Sequence, residues 1–146
     1  MVTADVLFPA EATLGLVLGT LLVATLFGLL WQSRQGRVRA PGRTAALPEP
    51  VLHRVDSATA VTLLQLSSPL CGRCPHARAV LGELADATPG VRHAQIDLGE
   101  HPQLADELGV RSTPTTLVLS RSGQELFRVA GVPRRAELLS ALQPHL

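Results

Sequence analysis

Lysine is missing from this chain: all 13 basic side chains among its 146 residues are arginine. Chemistry that needs an amine is thereby excluded, whether a Schiff base or the lysine of a phosphate-binding loop. The arginines are spread over every segment and serve no single site, so the bias reads as genomic drift. An excess of one charge is also lacking. The 12 acids leave a formal net charge of +1, which argues against a nucleic-acid surface. Cysteine is scarce, with only Cys71 and Cys74, and charge is absent altogether from Ala12 to Ser33.

That uncharged stretch is apolar on every side from Leu14 to Trp31. About 20 such residues cross a bilayer core. A cleaved signal peptide would need a basic start, a shorter apolar core and a small-x-small cleavage site. Here the start is acidic (Asp5, Glu11), and Gln32 to Arg37 offers no such site. The expectation is a tail and uncleaved single-pass anchor over residues 1–33, with Trp31 at the interface. Gly15 and Gly19, continued by Thr20, Ala24 and Gly28, space small residues so that a second helix could seat and form a dimer.

Residues 34–50 hold Arg34, Arg37, Arg39 and Arg43 with Pro41, Pro48 and Pro50 and no apolar period. They read as a linker, and a flexible chain of that length reaches on the order of 25 Å. Arginines directly after the span suit anionic headgroups. They also keep that side in the cytoplasm. The expectation is therefore a cell-membrane protein whose remaining domain is cytoplasmic rather than extracytoplasmic.

That domain, residues 51–146, alternates strands and helices. A short edge strand is expected near Val51–Val55, then a buried strand over Ala60–Ser67 whose polar exception is Gln65. Cys74 to Ala87 places Ala77, Val80, Leu81 and Leu84 on one face and Arg78, Glu83 and Asp86 on the other, which predicts an amphipathic helix. Val91–Leu98 follows as a strand and Pro102–Leu108 as a short helix closed by Gly109. Thr115–Ser120 and Gln124–Val129 form a hairpin at Ser122-Gly123, and a last helix over Pro133–Leu146 buries Leu138, Leu139 and Leu142. This order implies an α/β domain, a mixed central sheet with helices on both faces.

The two cysteines stand at the junction between the buried strand and the amphipathic helix. A C-x-x-C pair there marks a redox dithiol. The first thiol lies at a helix N-terminus, where unpaired N–H groups and the macrodipole favour a thiolate. The second comes one turn later, within reach of a disulfide. Pro75 occupies the place where a c-type haem site needs histidine. The five histidines, His53, His76, His93, His101 and His145, lack the paired spacing of a structural zinc site, so no metal is expected. A purely structural disulfide would close too small a loop to stabilise much.

Joined to Ile96-Asp97, Gly109 to Thr115 and Gly131, the Cys71-Gly72-Arg73-Cys74 motif resembles the thioredoxin family over residues 51–146. The anchor and arginine linker are similar to membrane-anchored thioredoxin-like proteins of high-GC bacteria. The resemblance implies a three-layer thioredoxin-like fold and a cis Thr113–Pro114 bond facing the dithiol and presenting backbone to substrate, with an ordinary trans turn as the alternative. It implies a thiol-disulfide oxidoreductase, a protein-disulfide reductase, with Cys71 as nucleophile and Cys74 as resolving thiol. The Cys71–Cys74 disulfide would be its redox centre, without a further cofactor. Partners would be protein disulfides and an electron donor such as a thioredoxin reductase or a membrane thiol carrier. The competing reading is a non-enzymatic redox-sensing or docking module for a membrane partner.

Three positions depart from the family pattern. Leu70 stands where tryptophan usually precedes the first cysteine. Gln65 stands where the family often has a buried aspartate that relays protons to the second thiol, and an amide cannot act as that base. His93 is the titratable candidate nearby, a satisfied or solvent-facing histidine being the other account of it. Arg73 puts a cation between the sulfurs in sequence, which favours the Cys71 thiolate unless the side chain points to solvent.

Overall fold

The computed structural model describes residues 10–42 and 46–146. Asp5, in the acidic start, and Arg43 of the linker lie outside the described residues. The chain divides into two units, Met1–Arg34 and Gln35–Leu146.

The first unit is helix α1 (Ala10–Arg34), and its Ala12–Arg34 stretch is long and apolar enough to cross a membrane. The hydroxyls of Thr20 and Thr25 donate back to the carbonyls of Leu16, Val17 and Leu21, so neither needs water. The small-residue face is open, since a Cβ added at Gly15 or Gly19 would meet nothing within 4 Å.

In the second unit the elements run β1 (Val38–Arg39), α2 (Glu49–Leu52), β2 (Val61–Ser67), α3 (Cys74–Ala87), β3 (Val91–Asp97), α4 (Gln103–Glu107), β4 (Thr115–Ser120), β5 (Glu125–Ala130) and α5 (Arg135–Leu142), closed by a 3-10 turn. The sheet order is β1-β5-β4-β2-β3, with β2 and β3 parallel and the other pairs antiparallel. Strand β2 is buried along its whole length because it lies inside the sheet and is covered on both faces. Its odd positions Val61 and Leu63 join Leu81, Leu84, Leu138 and Leu142 under α3 and α5. Its even positions Leu64 and Leu66 join Val51, Ile96, Leu104 and Leu108 under α2 and α4. Gln65, being odd, faces the start of α3. This is the mixed, doubly covered sheet that the order of elements implies.

Two segments differ from the sequence reading. Val51–Val55 is not a strand: Glu49–Leu52 is one turn of helix with Pro48 and Pro50 at its start, where a missing N–H costs little. The edge strand forms earlier, inside the stretch read as linker. Val38 and Arg39 pair with Val129 and Arg128, the Gly36 N–H donates to the Ala130 carbonyl at 2.7 Å, and the Val38 N–H donates to Glu137 Oε1 at 3.2 Å. The last helix is also shorter than expected, with Leu138 and Leu142 buried and Leu139 partly so.

Candidate active site

Strand β2 ends at Ser67 and the chain turns twice before α3: the Cys71 N–H donates to the Ser68 carbonyl at 3.1 Å and the Cys74 N–H to the Cys71 carbonyl at 3.3 Å. Arg73 caps α3, Cys74 opens it and Pro75 sits in its first turn. Cys71 and Cys74 are joined as a disulfide, with Cα atoms 5.4 Å apart. Cys74 is 6% exposed, whereas Cys71 is only partly covered. Once reduced, Cys71 is the sulfur a partner can reach, and it stands just ahead of α3, whose N-terminal dipole favours its thiolate.

Beneath the dithiol is a polar network on the α3 face of the sheet. Gln65 is fully buried; its Nε2 donates to the Cys74 carbonyl at 3.0 Å and its Oε1 lies 3.2 Å from His93 Nε2. Because the amide nitrogen is committed to a carbonyl, Oε1 is the acceptor, and the ring proton of His93 sits on Nε2. Burial, and secondarily the Arg78 guanidinium, hold the His93 pKa below its ordinary value. His93 is therefore neutral near pH 7, with its basic lone pair on Nδ1, the ring nitrogen that does not contact Gln65.

The structure brings Thr113 to the same place. The Thr113–Pro114 bond is cis, Thr113 Oγ1 lies 3.4 Å from Ser68 Oγ, and Pro114 is buried. The Pro114 carbonyl accepts from the Gly131 N–H at 2.7 Å, which ties the loop to the end of β5. Arg73 is exposed, and its Nη1 donates to Gln35 Oε1. Among the described residues no cluster of three or more metal-ligating side chains forms.

Sequence reasoning missed four residues. Gln95 donates to Ser67 Oγ at 2.6 Å, and Ser67 donates to the Ile96 carbonyl at 3.3 Å, so the polar stripe continues past Gln65. Thr116 pairs in register with Gln65 and is fully buried, with its hydroxyl unpartnered. The period-two run His93, Gln95, Asp97 beside Gln65 and Ser67 was the available signal. Gln35, 38 positions from Arg73 in sequence, had none.

This fold and dithiol define a thiol-disulfide exchange protein, and the comparisons agree. Residues 51–144 match the thioredoxin family model. The chain is 32% identical over 85 residues to thioredoxin 1 of Nostoc sp., covering 58% of this chain and 78% of that one. It is 31% identical over 88 residues to a thioredoxin of Chlamydia caviae, covering 60% and 85%. A solved mutant thioredoxin from Halobacterium salinarum superposes with a TM-score of 0.57 at 27% identity, over 73% of this chain and 87% of that one. The chain belongs to the thioredoxin family, and with its Cys71–Cys74 pair it is a thiol-disulfide oxidoreductase whose redox centre is that disulfide.

Proposed function

We propose that the protein is a membrane-anchored protein-disulfide reductase whose dithiol faces the cytoplasm. The observation that carries the chemistry is the partly covered Cys71 just ahead of α3, with the buried Cys74 opening that helix and the cis Thr113–Pro114 loop hydrogen-bonded to the turn before it. In the reduced state the Cys71 thiolate attacks one sulfur of a partner disulfide, forming a mixed disulfide and releasing the other sulfur as a thiol. The Cys74 thiolate then attacks the Cys71 sulfur. The Cys71–Cys74 bond forms, the second partner thiol leaves, and two electrons have passed to the partner. A dithiol donor of the thioredoxin-reductase type restores the reduced pair.

Thr113 and Pro114 present backbone to the incoming segment. Gln65 and His93 act as positioning residues. The amide holds the first turn of α3 through the Cys74 carbonyl, and the neutral imidazole holds the amide; neither supplies a base. Cys74 accordingly loses its proton to solvent as the mixed disulfide opens, and Arg73 biases Cys71 only weakly because its charge is exposed. The anchor reading is supported by the run of apolar residues in α1 and by β1, which engages the chain four residues after that helix ends.

Insulin reduction with dithiothreitol tests the activity, since a docking module would give no rate above the thiol background. Trapping with Cys74→Ser tests the roles. Mixed disulfides on Cys71 are expected, and their equal capture by Cys71→Ser would reverse the assignment.

A further inference from the structure

Arg73 stands between the two sulfurs in sequence, and α3 gains nothing from it. A helix start favours an oxygen-bearing cap and acids in its first turn, because the dipole is positive there. Here the cap residue is a cation, its side chain makes no capping bond and the first turn holds no acid. Among the described residues no carboxylate pairs with it either.

An amide holds it instead: Arg73 Nη1 donates to Gln35 Oε1. Gln35 belongs to the same structural unit and is itself firmly seated. Gly36, the next residue, is buried at φ +75°, where a Cβ would lie 2.5 Å from the Val132 carbonyl oxygen, and its N–H donates to the Ala130 carbonyl at 2.7 Å. A Cβ on Gly131 would lie 3.5 Å from Gln35 Cβ, and the Gly131 N–H donates to the Pro114 carbonyl. The amide therefore draws the guanidinium toward Gly131, the residue tied to the cis-proline loop that receives a partner's backbone.

A carboxylate tether would cancel the charge; an amide orients it and leaves it intact. With Nη1 committed, the edge formed by Nε and Nη2 remains, two parallel N–H groups whose spacing fits both oxygens of a carboxylate. Two acids on neighbouring segments are committed elsewhere. Asp97, which ends β3, accepts from the Gly99 N–H at 2.7 Å, and Glu137 accepts from the Val38 N–H at 3.2 Å.

We propose that Arg73 is a specificity-determining residue that binds a carboxylate beside the partner's disulfide, with Gln35 as its positioning residue. The preferred substrates are then protein disulfides flanked by Asp or Glu. This rests on the oxidoreductase reading and leaves the exchange unchanged: Cys71 bonds one partner sulfur, the other leaves as a thiol, and the carboxylate stays ionised throughout. A docked partner displaces water from the guanidinium, so this contact is stronger than the screened influence of Arg73 on Cys71 in the free protein.

The test uses the full chain in a neutral detergent with dithiothreitol as donor. Two peptides carry the same dye-quenching disulfide and differ only in having Glu or Gln on both sides of the attacked cysteine. Each kcat/KM is divided by that peptide's rate with dithiothreitol alone, which removes any effect of the acids on the disulfide itself. The native chain is expected to favour the Glu peptide about tenfold at low salt and about twofold at high salt. Arg73→Gln should bring the ratio near one, and Arg73→Lys, which keeps the charge without the fork, should leave about threefold. Gln35→Ala should lower the ratio to about threefold, and Gln35→Glu, which offers Arg73 a carboxylate of its own, to about one. A native ratio near one, or a ratio that survives Arg73→Gln, overturns the inference, and a ratio unchanged in both Gln35 variants overturns the positioning role. A variant damaged in folding loses rate on both peptides alike, so the ratio still reads the contact. Reduction of neither peptide by the native chain would remove the oxidoreductase reading, whereas equal reduction of the two would remove only the carboxylate preference.

Discussion

Gln65→Glu exchanges one nitrogen for oxygen in a fully buried side chain, and the hydrogen bonds around it dictate the effect. The native amide donates to the Cys74 carbonyl at 3.0 Å and accepts from His93 at 3.2 Å. A protonated glutamic acid can do both, its O–H replacing the N–H. An ionised one keeps only the acceptor and sets a charged oxygen against a carbonyl oxygen without water. Burial therefore raises the folded-state pKa of the new carboxyl above the usual value of about 4.3. As pH rises the unfolded chain loses this proton first, so the folded state binds more protons and stability falls above about pH 4.3 until the folded pKa is passed.

A rise of two to three pKa units corresponds to about 3–4 kcal/mol. At about 4 °C per kcal/mol for a domain of this size, Tm should lie about 10–15 °C below the native protein at pH 8. Near pH 4.5 the two should melt within a few degrees of each other. His93 is the neighbour that can relieve the charge by taking a proton. Gln65→Glu combined with His93→Gln should therefore show a larger deficit at pH 8 than Gln65→Glu alone. The assay is far-ultraviolet circular dichroism of the oxidised chain in detergent, melted at intervals between pH 4 and 8. A deficit of constant size across that range would refute the argument, because it would mean that the Gln65 nitrogen does not donate to Cys74.

Three further outcomes are expected. His93 has a depressed folded pKa, so the unfolded chain takes the proton first as pH falls below about 6.5, and stability present above that pH is lost on acidification; His93→Gln, which can still donate to Gln65, should flatten the fall of Tm below about pH 6.5, and an unchanged acid slope would assign the loss to another group. After reduction, limiting iodoacetamide should label Cys71 and spare Cys74, which is 6% exposed, and mass spectrometry showing the reverse would overturn their roles. A membrane-impermeant maleimide applied to intact cells after mild reduction should leave Cys71 unlabelled until lysis, whereas labelling without lysis would place the dithiol outside and require a membrane thiol carrier as donor.

The helix over Cys74–Ala87 was legible because it buries a face whose period its own residues carry, and the strands over Val61–Ser67 and Thr115–Ser120 because short runs between turn signals suit strands covered on both faces. Val51–Val55 was misread for the opposite reason. Five residues with apolar ends fit a strand or a helical turn equally well, and Pro48 and Pro50, taken as linker prolines, were the start of the turn. Val38–Arg39 carries no pattern, because two residues cannot express a period and their hydrogen bonds come from β5, some ninety residues away in sequence. The site divides along the same line. Cys71, Cys74 and Pro114 announce themselves through motif and resemblance, and Gln65 through a polar residue in an apolar run. What sequence could not supply is which way the Gln65 amide points, and that direction decides whether His93 is a base or a donor. The bond to the Cys74 carbonyl fixes the amide, the amide fixes the imidazole proton on Nε2, and the imidazole is thereby denied any route to the second thiol through Gln65. Gln65 fills its buried place without offering a base, so the rate of the resolving step should follow the ionisation of Cys74 itself.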